Sequence, residues 1–150
     1  MIRCARENDY SQVETIMGQV HGLHVGWRPD IYRAVDPVMP HGEFQQLVEE
    51  NRLLVAEENG LVVGRAAYLV RTVHTAHMVP RKVLFVETMA VEEAHRGRGI
   101  GRKLMGALKA VGAERGYDGL ELQVNAKNTG AREMYEKCGF TEKSINMELL

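Results

Sequence analysis

The residues with the clearest chemistry are Arg96-Gly97-Arg98-Gly99-Ile100-Gly101. Three glycines at alternate positions let the backbone approach a ligand closely and turn its N–H groups toward one point. A helix beginning there adds its own unpaired N–H groups and the positive end of its dipole. Arg96, Arg98, Arg102 and Lys103 crowd the same point, although a helix start favours acidic residues. The pattern reads as an anion cradle whose negative partner is not part of the chain. The bland alternative is a glycine-rich turn with solvated arginines, and the flanking elements weigh against it.

Those elements are a strand before the glycines and a helix after them. Val83 to Val91 is apolar on both alternating faces except at Glu87 and Thr88, as expected of a strand in the middle of a sheet. From about Gly99 to Arg115, Ile100, Leu104, Leu108 and Val111 recur at helical spacing while Arg102, Lys103, Lys109 and Glu114 fall elsewhere. Upstream, Leu53–Glu58 and Leu61–Val70 are β-rich runs joined by Asn59-Gly60, a hairpin signal. Arg71 to Lys82 reads as the connection onward. Near the N-terminus, Ile2–Ala5 is a short strand, and Asp9 caps a helix carrying Val13, Ile16, Met17 and Val20 that ends near His21-Gly22. His24 to Tyr32 reads as a loop, either a plain connection or a wall of a substrate pocket formed by His24, Trp27 and Tyr32. A second helix starts at His41 and ends near Asn51. Downstream, Leu120, Leu122 and Val124 alternate as a strand, and a helix capped by Asn128 or Thr129 ends at Gly139. Ile145, Met147 and Leu149 alternate as a final strand.

With 150 residues, 45% hydrophobic and 26% charged, the chain reads as one globular domain over residues 1–150. A formal net charge of -1 argues against general affinity for nucleic acid or membranes, so any cationic site is local. Cys4 and Cys138 match no metal or redox spacing. His74, His77 and His95 lack carboxylates or cysteines at ligating distances in sequence, so no metal is expected. The charged N-terminus and the lack of a long apolar run make the cytoplasm the default location. A homodimer is left open.

In this order the elements resemble the GNAT superfamily of acyl-CoA-dependent N-acetyltransferases. Arg96 to Gly101 fits that family's pyrophosphate loop, a Gln or Arg, two variable residues, Gly, one variable residue, then Gly or Ala. Val83 to Val91 is similar to its central strand, and Asn125 to Phe140, with Asn128, Ala131, Tyr135 and Cys138-Gly139-Phe140, to its later helix segment. The specific match covers about residues 83 to 140. One departure is that ten residues follow Phe140, where many relatives carry a hairpin with a substrate-facing loop.

The resemblance implies an α+β fold, a mixed and largely antiparallel central sheet flanked by helices, and transfer of an acetyl group from acetyl-CoA to a primary amine of a small molecule or peptide. It implies that pantetheine pairs with the main chain across Met89, Ala90 and Val91. The diphosphate then sits on the N–H groups of Arg96, Gly97, Arg98, Gly99, Ile100, Gly101 and Arg102, and Asn128 touches the arm. An alkylammonium has a pKa of about 10, so a base must take its proton, and Glu87, the only carboxylate inside the apolar strand, is the candidate. Burial there is expected to raise its pKa. Tyr135 is the candidate donor to the departing thiolate. The plain alternatives are an arginine ion pair for Glu87 and simple packing for Tyr135.

Other readings fit less well. Gly97, Gly99 and Gly101 form G-x-G-x-G, not the G-x-G-x-x-G of dinucleotide enzymes, and no Walker lysine follows. The Arg-Gly repeat is too short and too well bracketed for an RNA-binding segment. A module that binds acyl-CoA without transferring the acyl group stays open.

Overall fold

The computed structural model describes residues 1–150. Its centre is a five-stranded sheet in the order β1 (Ile2–Cys4), β2 (Leu53–Glu58), β3 (Leu61–Val73), β4 (Arg81–Val91) and β5 (Gly119–Leu122). Every neighbouring pair is antiparallel except β4 and β5, which are parallel. The expected mixed, largely antiparallel α+β fold is therefore present. Asn59 and Gly60 turn the β2–β3 hairpin at φ 51 and 78, the positive values that a tight two-residue turn requires.

Each sheet face has its own core. On one face α3 (Ile100–Glu114) buries Ile100, Leu104, Met105 and Leu108 against Ala66, Tyr68, Leu84 and Val86, with α4 (Thr129–Lys137) alongside. Leu104, Met105 and Leu108 are wholly enclosed, and each such side chain contributes about 1.5–3 kcal/mol. A Cβ on Gly64 of β3 would lie 3.0 Å from Ile100 and 3.1 Å from Leu104, so glycine there lets α3 seat its first turns on the sheet. The other face is covered by α1 (Tyr10–Trp27) and α2 (His41–Glu49), which bury Val13, Ile16 and Phe44 against Val55, Val62 and Ala67.

Three expectations are corrected. α1 does not stop at His21-Gly22 but runs on to Trp27, so His24 and Trp27 sit on a helix. Glycines in a helix cost up to about 1 kcal/mol each, yet tertiary anchors hold these turns. His21 meets the Arg33 carbonyl at 2.7 Å, and Lys127 donates to the Trp27 carbonyl at 3.1 Å. Asp9 does not cap α1 with its side chain; it turns back to accept from the Arg6 N–H and from the Arg3 guanidinium at 2.8 and 3.0 Å. The final strand is absent, because residues 141–150 form no backbone hydrogen bond with any neighbour. Smaller differences concern lengths: β5 stops at Leu122, and the β3–β4 connection is only residues 74–80.

Candidate active site

The cradle forms where β4 hands the chain to α3. Gly97 and Gly99 adopt φ of +79 and +83, the left-handed region in which side chains are strained. Gly101 does not; a Cβ there would meet Met134 and Val91 at ordinary contact distances of 3.5 and 3.8 Å. The first main-chain N–H of this segment to find a protein acceptor is that of Lys103, bonded to the Gly99 carbonyl at 3.0 Å. The six N–H groups from Gly97 through Arg102 find none. No acidic side chain caps them. Arg98, Arg102 and Lys103 are exposed, and no carboxylate pairs with them. Arg96 differs, since its Nε donates to the Val91 carbonyl at 3.1 Å and ties the loop to the end of β4. The side chain of Ile100 is buried in the α3 core, so it can offer only its N–H.

Beside the cradle, β4 has an open edge. Its last partner in β5 is Val86 opposite Leu122, and it continues five residues further to Val91. The Glu92 N–H bonds to the Val63 carbonyl on β3, so by antiparallel alternation Met89 and Val91 turn their main-chain groups to the opposite, open side. Ala90 does not join them. It stands opposite Arg65 on β3 with its side chain buried under α1, so its expected place on the ligand-facing edge is corrected. Across the opening, the Asn128 side-chain oxygen caps α4 by accepting from the Ala131 N–H at 3.2 Å, which leaves its NH₂ free. Tyr135 packs against the α3-side core, as do Met89 and Val91, with its ring 5.9 Å from that of Phe140. Burial, with a smaller push from Cys138, raises its phenol above the usual value.

Glu87 occupies a different setting. The β3–β4 register passes from Ala67 opposite Thr88 to Tyr68 opposite Val86, so Glu87 is the extra residue of a bulge. The burial expected for it is not found: its side chain remains 35% exposed and lies 3.5 Å from Arg52, itself bonded to the Tyr68 carbonyl. It belongs with the α1 face, whereas Tyr135 packs on the α3 face.

With this geometry in view, comparison with known proteins is decisive for the family. The sequence profile of the Acetyltransferase (GNAT) family matches residues 22–140. The chain belongs to the GNAT family. It is 33% identical to an uncharacterised N-acetyltransferase of Methanocaldococcus jannaschii over 65% of this chain and 42% of that protein. It is 26% identical to an uncharacterised N-acetyltransferase of Bacillus subtilis over 94% of this chain and 89% of that one. The matched stretch spans 30% to 48% of the length of the M. jannaschii protein, the yeast N-alpha-acetyltransferase 40 and another B. subtilis N-acetyltransferase. Among solved structures, the tetramutant of the BH1408 protein from Bacillus halodurans superposes with a TM-score of 0.95 at 30% identity, covering 100% of this chain and 99% of that one. An aminoglycoside N-acetyltransferase in complex with CoA shares the fold, with a TM-score of 0.75 at 16% identity over 100% and 98% of the two chains.

In this GNAT protein the end of α1 closes over the parted strands. Gln19 bonds to Glu92 and to the Glu93 N–H, and Lys127 of the β5–α4 connection reaches Trp27. The expected wall residues do gather: the His24 ring lies 5.3 Å from Trp27 and 5.2 Å from Tyr32. The His24 Nδ1 is buried without a partner, and burial together with His21 lowers its pKa below the ordinary histidine value.

Arg65 was not singled out among the candidates. Only 1% exposed, it donates to the Thr88 hydroxyl at 2.6 Å and faces the Met39 sulfur at 3.5 Å, with its Nε unpartnered. Burial lowers its pKa to about 10, against the opposing pull of Glu87 and Glu14. The signal was available, since Arg65 is the one charge within the apolar run Leu61–Val70.

Proposed function

We propose that the protein transfers the acetyl group of acetyl-CoA to a primary amine by direct attack. The observation that carries this reading is the row of six unpaired N–H groups from Gly97 to Arg102 at a helix start, beside an unpaired strand edge. The loop would hold the diphosphate, with Arg98, Arg102 and Lys103 around it. Met89 and Val91 would pair with the amides of the pantetheine arm, and the free NH₂ of Asn128 would reach the same arm. Acetyl-CoA supplies the activated thioester carbonyl.

The remaining roles fall to this chain's side chains. Glu87, half-exposed at the bulge, draws the proton from the ammonium of the acceptor directly or through water. Tyr135, whose raised pKa keeps it protonated at neutral pH, gives a proton to the departing sulfur. His24, Trp27 and Tyr32 form the acceptor wall. We place this activity in one domain spanning residues 1–150, in the cytoplasm, with no metal and no nucleic-acid partner.

Relatives bear names as different as N-alpha-acetyltransferase 40, streptothricin acetyltransferase and glucosamine 6-phosphate N-acetyltransferase. The test is therefore a thiol-release screen with acetyl-CoA across sugar amines, antibiotics, amino acids and peptides. Release that depends on both protein and amine supports transfer. CoA binding without release from any class would make this a CoA-binding module instead.

A further inference from the structure

Glu87 and Thr88 are consecutive on β4 and yet share a face. In a regular strand successive side chains point to opposite faces, but the bulge at Glu87 suspends that alternation. Thr88 stands opposite Ala67 and two residues from Ala90, both buried on the α1 side, so its hydroxyl is on that side too. Glu87 is near enough for its charge to act on Arg65 of the same face. Its Oε2 meets Arg52, and its Oε1 has no partner.

Behind Thr88 stands a cation that nothing nearby neutralises. Arg65 is 1% exposed and takes part in no ion pair. Its guanidinium meets two neutral groups, the Thr88 hydroxyl at 2.6 Å and the Met39 sulfur at 3.5 Å, and its Nε meets none. Glu14, which pulls on it from a distance, is committed to the N–H groups of Val38 and Met39 at 2.5 and 3.0 Å. With Tyr10 donating to the Met39 carbonyl at 2.7 Å, these bonds hold Met39 over the guanidinium and keep any ligand from touching it. A buried charge without a counter-charge costs stability, so its presence needs a use. A guanidinium only donates, so the Thr88 oxygen accepts and the hydroxyl hydrogen must go elsewhere. No protein group takes it, and Thr88 is half-buried, so it is offered to the open side. The result is a donor strengthened by a cation and set beside a carboxylate.

We propose that Glu87 and Thr88 together select an acceptor whose amine and a carboxylate share one carbon, a free amino acid. This rests on the acetyl transfer proposed above. The ammonium meets Oε1 of Glu87, and the carboxylate takes the Thr88 hydroxyl hydrogen, where the field of Arg65 favours negative charge. Thr88 is the specificity contact. Arg65 is a positioning residue that acts through it.

A panel of free L-amino acids, each matched with its amide, tests this in two ways: thiol release with acetyl-CoA, and titration into labelled protein followed at the Thr88 amide and the Arg65 Nε–H. For at least one pair kcat/KM should favour the amino acid by about 10–100-fold, chiefly through KM. Thr88→Val keeps the branched shape without the hydroxyl and should remove that preference, Arg65→Met should lower it likewise, and Thr88→Ser should retain it. Comparing the same pair between proteins cancels the difference in amine pKa. Release without a preference for the acid, or a preference that survives Thr88→Val, would overturn the proposal and leave the transferase reading standing. Should no amine be acetylated, that reading fails and the titration decides: shifts with amino acids but not with amides support the site, and their absence overturns it. If Arg65→Met does not fold, Thr88→Val still decides.

Discussion

The cradle and the proposed acceptor wall are built by opposite means. The cradle is a single run of backbone: two glycines at positive φ, a helix start and an open strand edge, contiguous from Met89 to Arg102. The acceptor side is assembled from side chains far apart in sequence, with His24 and Trp27 on α1, Tyr32 beyond it, Arg52 before β2, and Glu87 on the β4 bulge. In the proposed reaction, a site made of main-chain N–H groups recognises what is common to every turnover, the charge of a diphosphate. A site made of side chains can change its ligand residue by residue while the cradle stays as it is. This contrast predicts which substitutions touch which half of the reaction.

The largest expected effect is on the chemical step. Tyr135→Phe should lower kcat by about 10²–10⁴-fold while leaving CoA affinity within a factor of a few. The raised phenol pKa also means that no fall in rate assignable to this group should appear below its ordinary titration near 10. Full turnover in the variant would reduce Tyr135 to a packing residue.

Glu87→Gln should come next, with a loss of roughly 10²-fold in kcat. Because the attacking amine must be neutral, the ascending limb of the pH profile should follow the pKa of the acceptor amine from one acceptor to another. A limb that keeps one position for every amine would contradict this arrangement.

Trp27→Ala should raise the acceptor KM by about tenfold and leave CoA affinity unchanged, as the proposed place of its ring beside His24 requires. Equal losses for both substrates would erase the distinction between the two halves.

The smallest effect lies away from the site. Asp9→Asn weakens a nearly buried carboxylate that accepts from both Arg3 nitrogens and the Arg6 N–H, and should cost about 2 kcal/mol of stability at pH 7. Arg3 holds the Asp9 pKa below the ordinary carboxylate range. Its contribution is therefore complete above the unfolded value near 3.9 and lost as pH falls through the lower folded one. Denaturant melts of both proteins from pH 7 to pH 2 should converge at the acid end.

How much the sequence revealed follows the same division. The strand, the glycine loop and the amphipathic helix from Val83 to Glu114 were legible because each signal is local: alternation, glycine spacing and helical periodicity. The acceptor side was not. Gly22 and Gly26 look like helix terminators, but contacts from Arg33 and Lys127 carry α1 past both. The apolar neighbours of Glu87 suggested burial, whereas a bulge, invisible to a count of alternation, turns it to Arg52 and solvent. Arg65 is the one charge within the apolar run Leu61–Val70, a signal the reading passed over, and its 1% exposure against Met39 shows a buried cation. The pattern at Ile145, Met147 and Leu149 was strand-like, but alternation alone supplies no partner, and residues 141–150 form no backbone hydrogen bond.

The central claim is that the main chain of the loop binds the diphosphate, and titration of labelled protein with CoA, followed through its backbone amide resonances, tests it most directly. The six amides from Gly97 to Arg102 should shift and become protected from exchange, while those of His24 to Tyr32 change far less. The paired change Gly97→Val and Gly99→Val, which strains the loop where no neighbour lies within 4 Å, should abolish these shifts with the rest of the spectrum intact. Saturable CoA binding that leaves all six amides unmoved, or that survives both valines, would contradict the account.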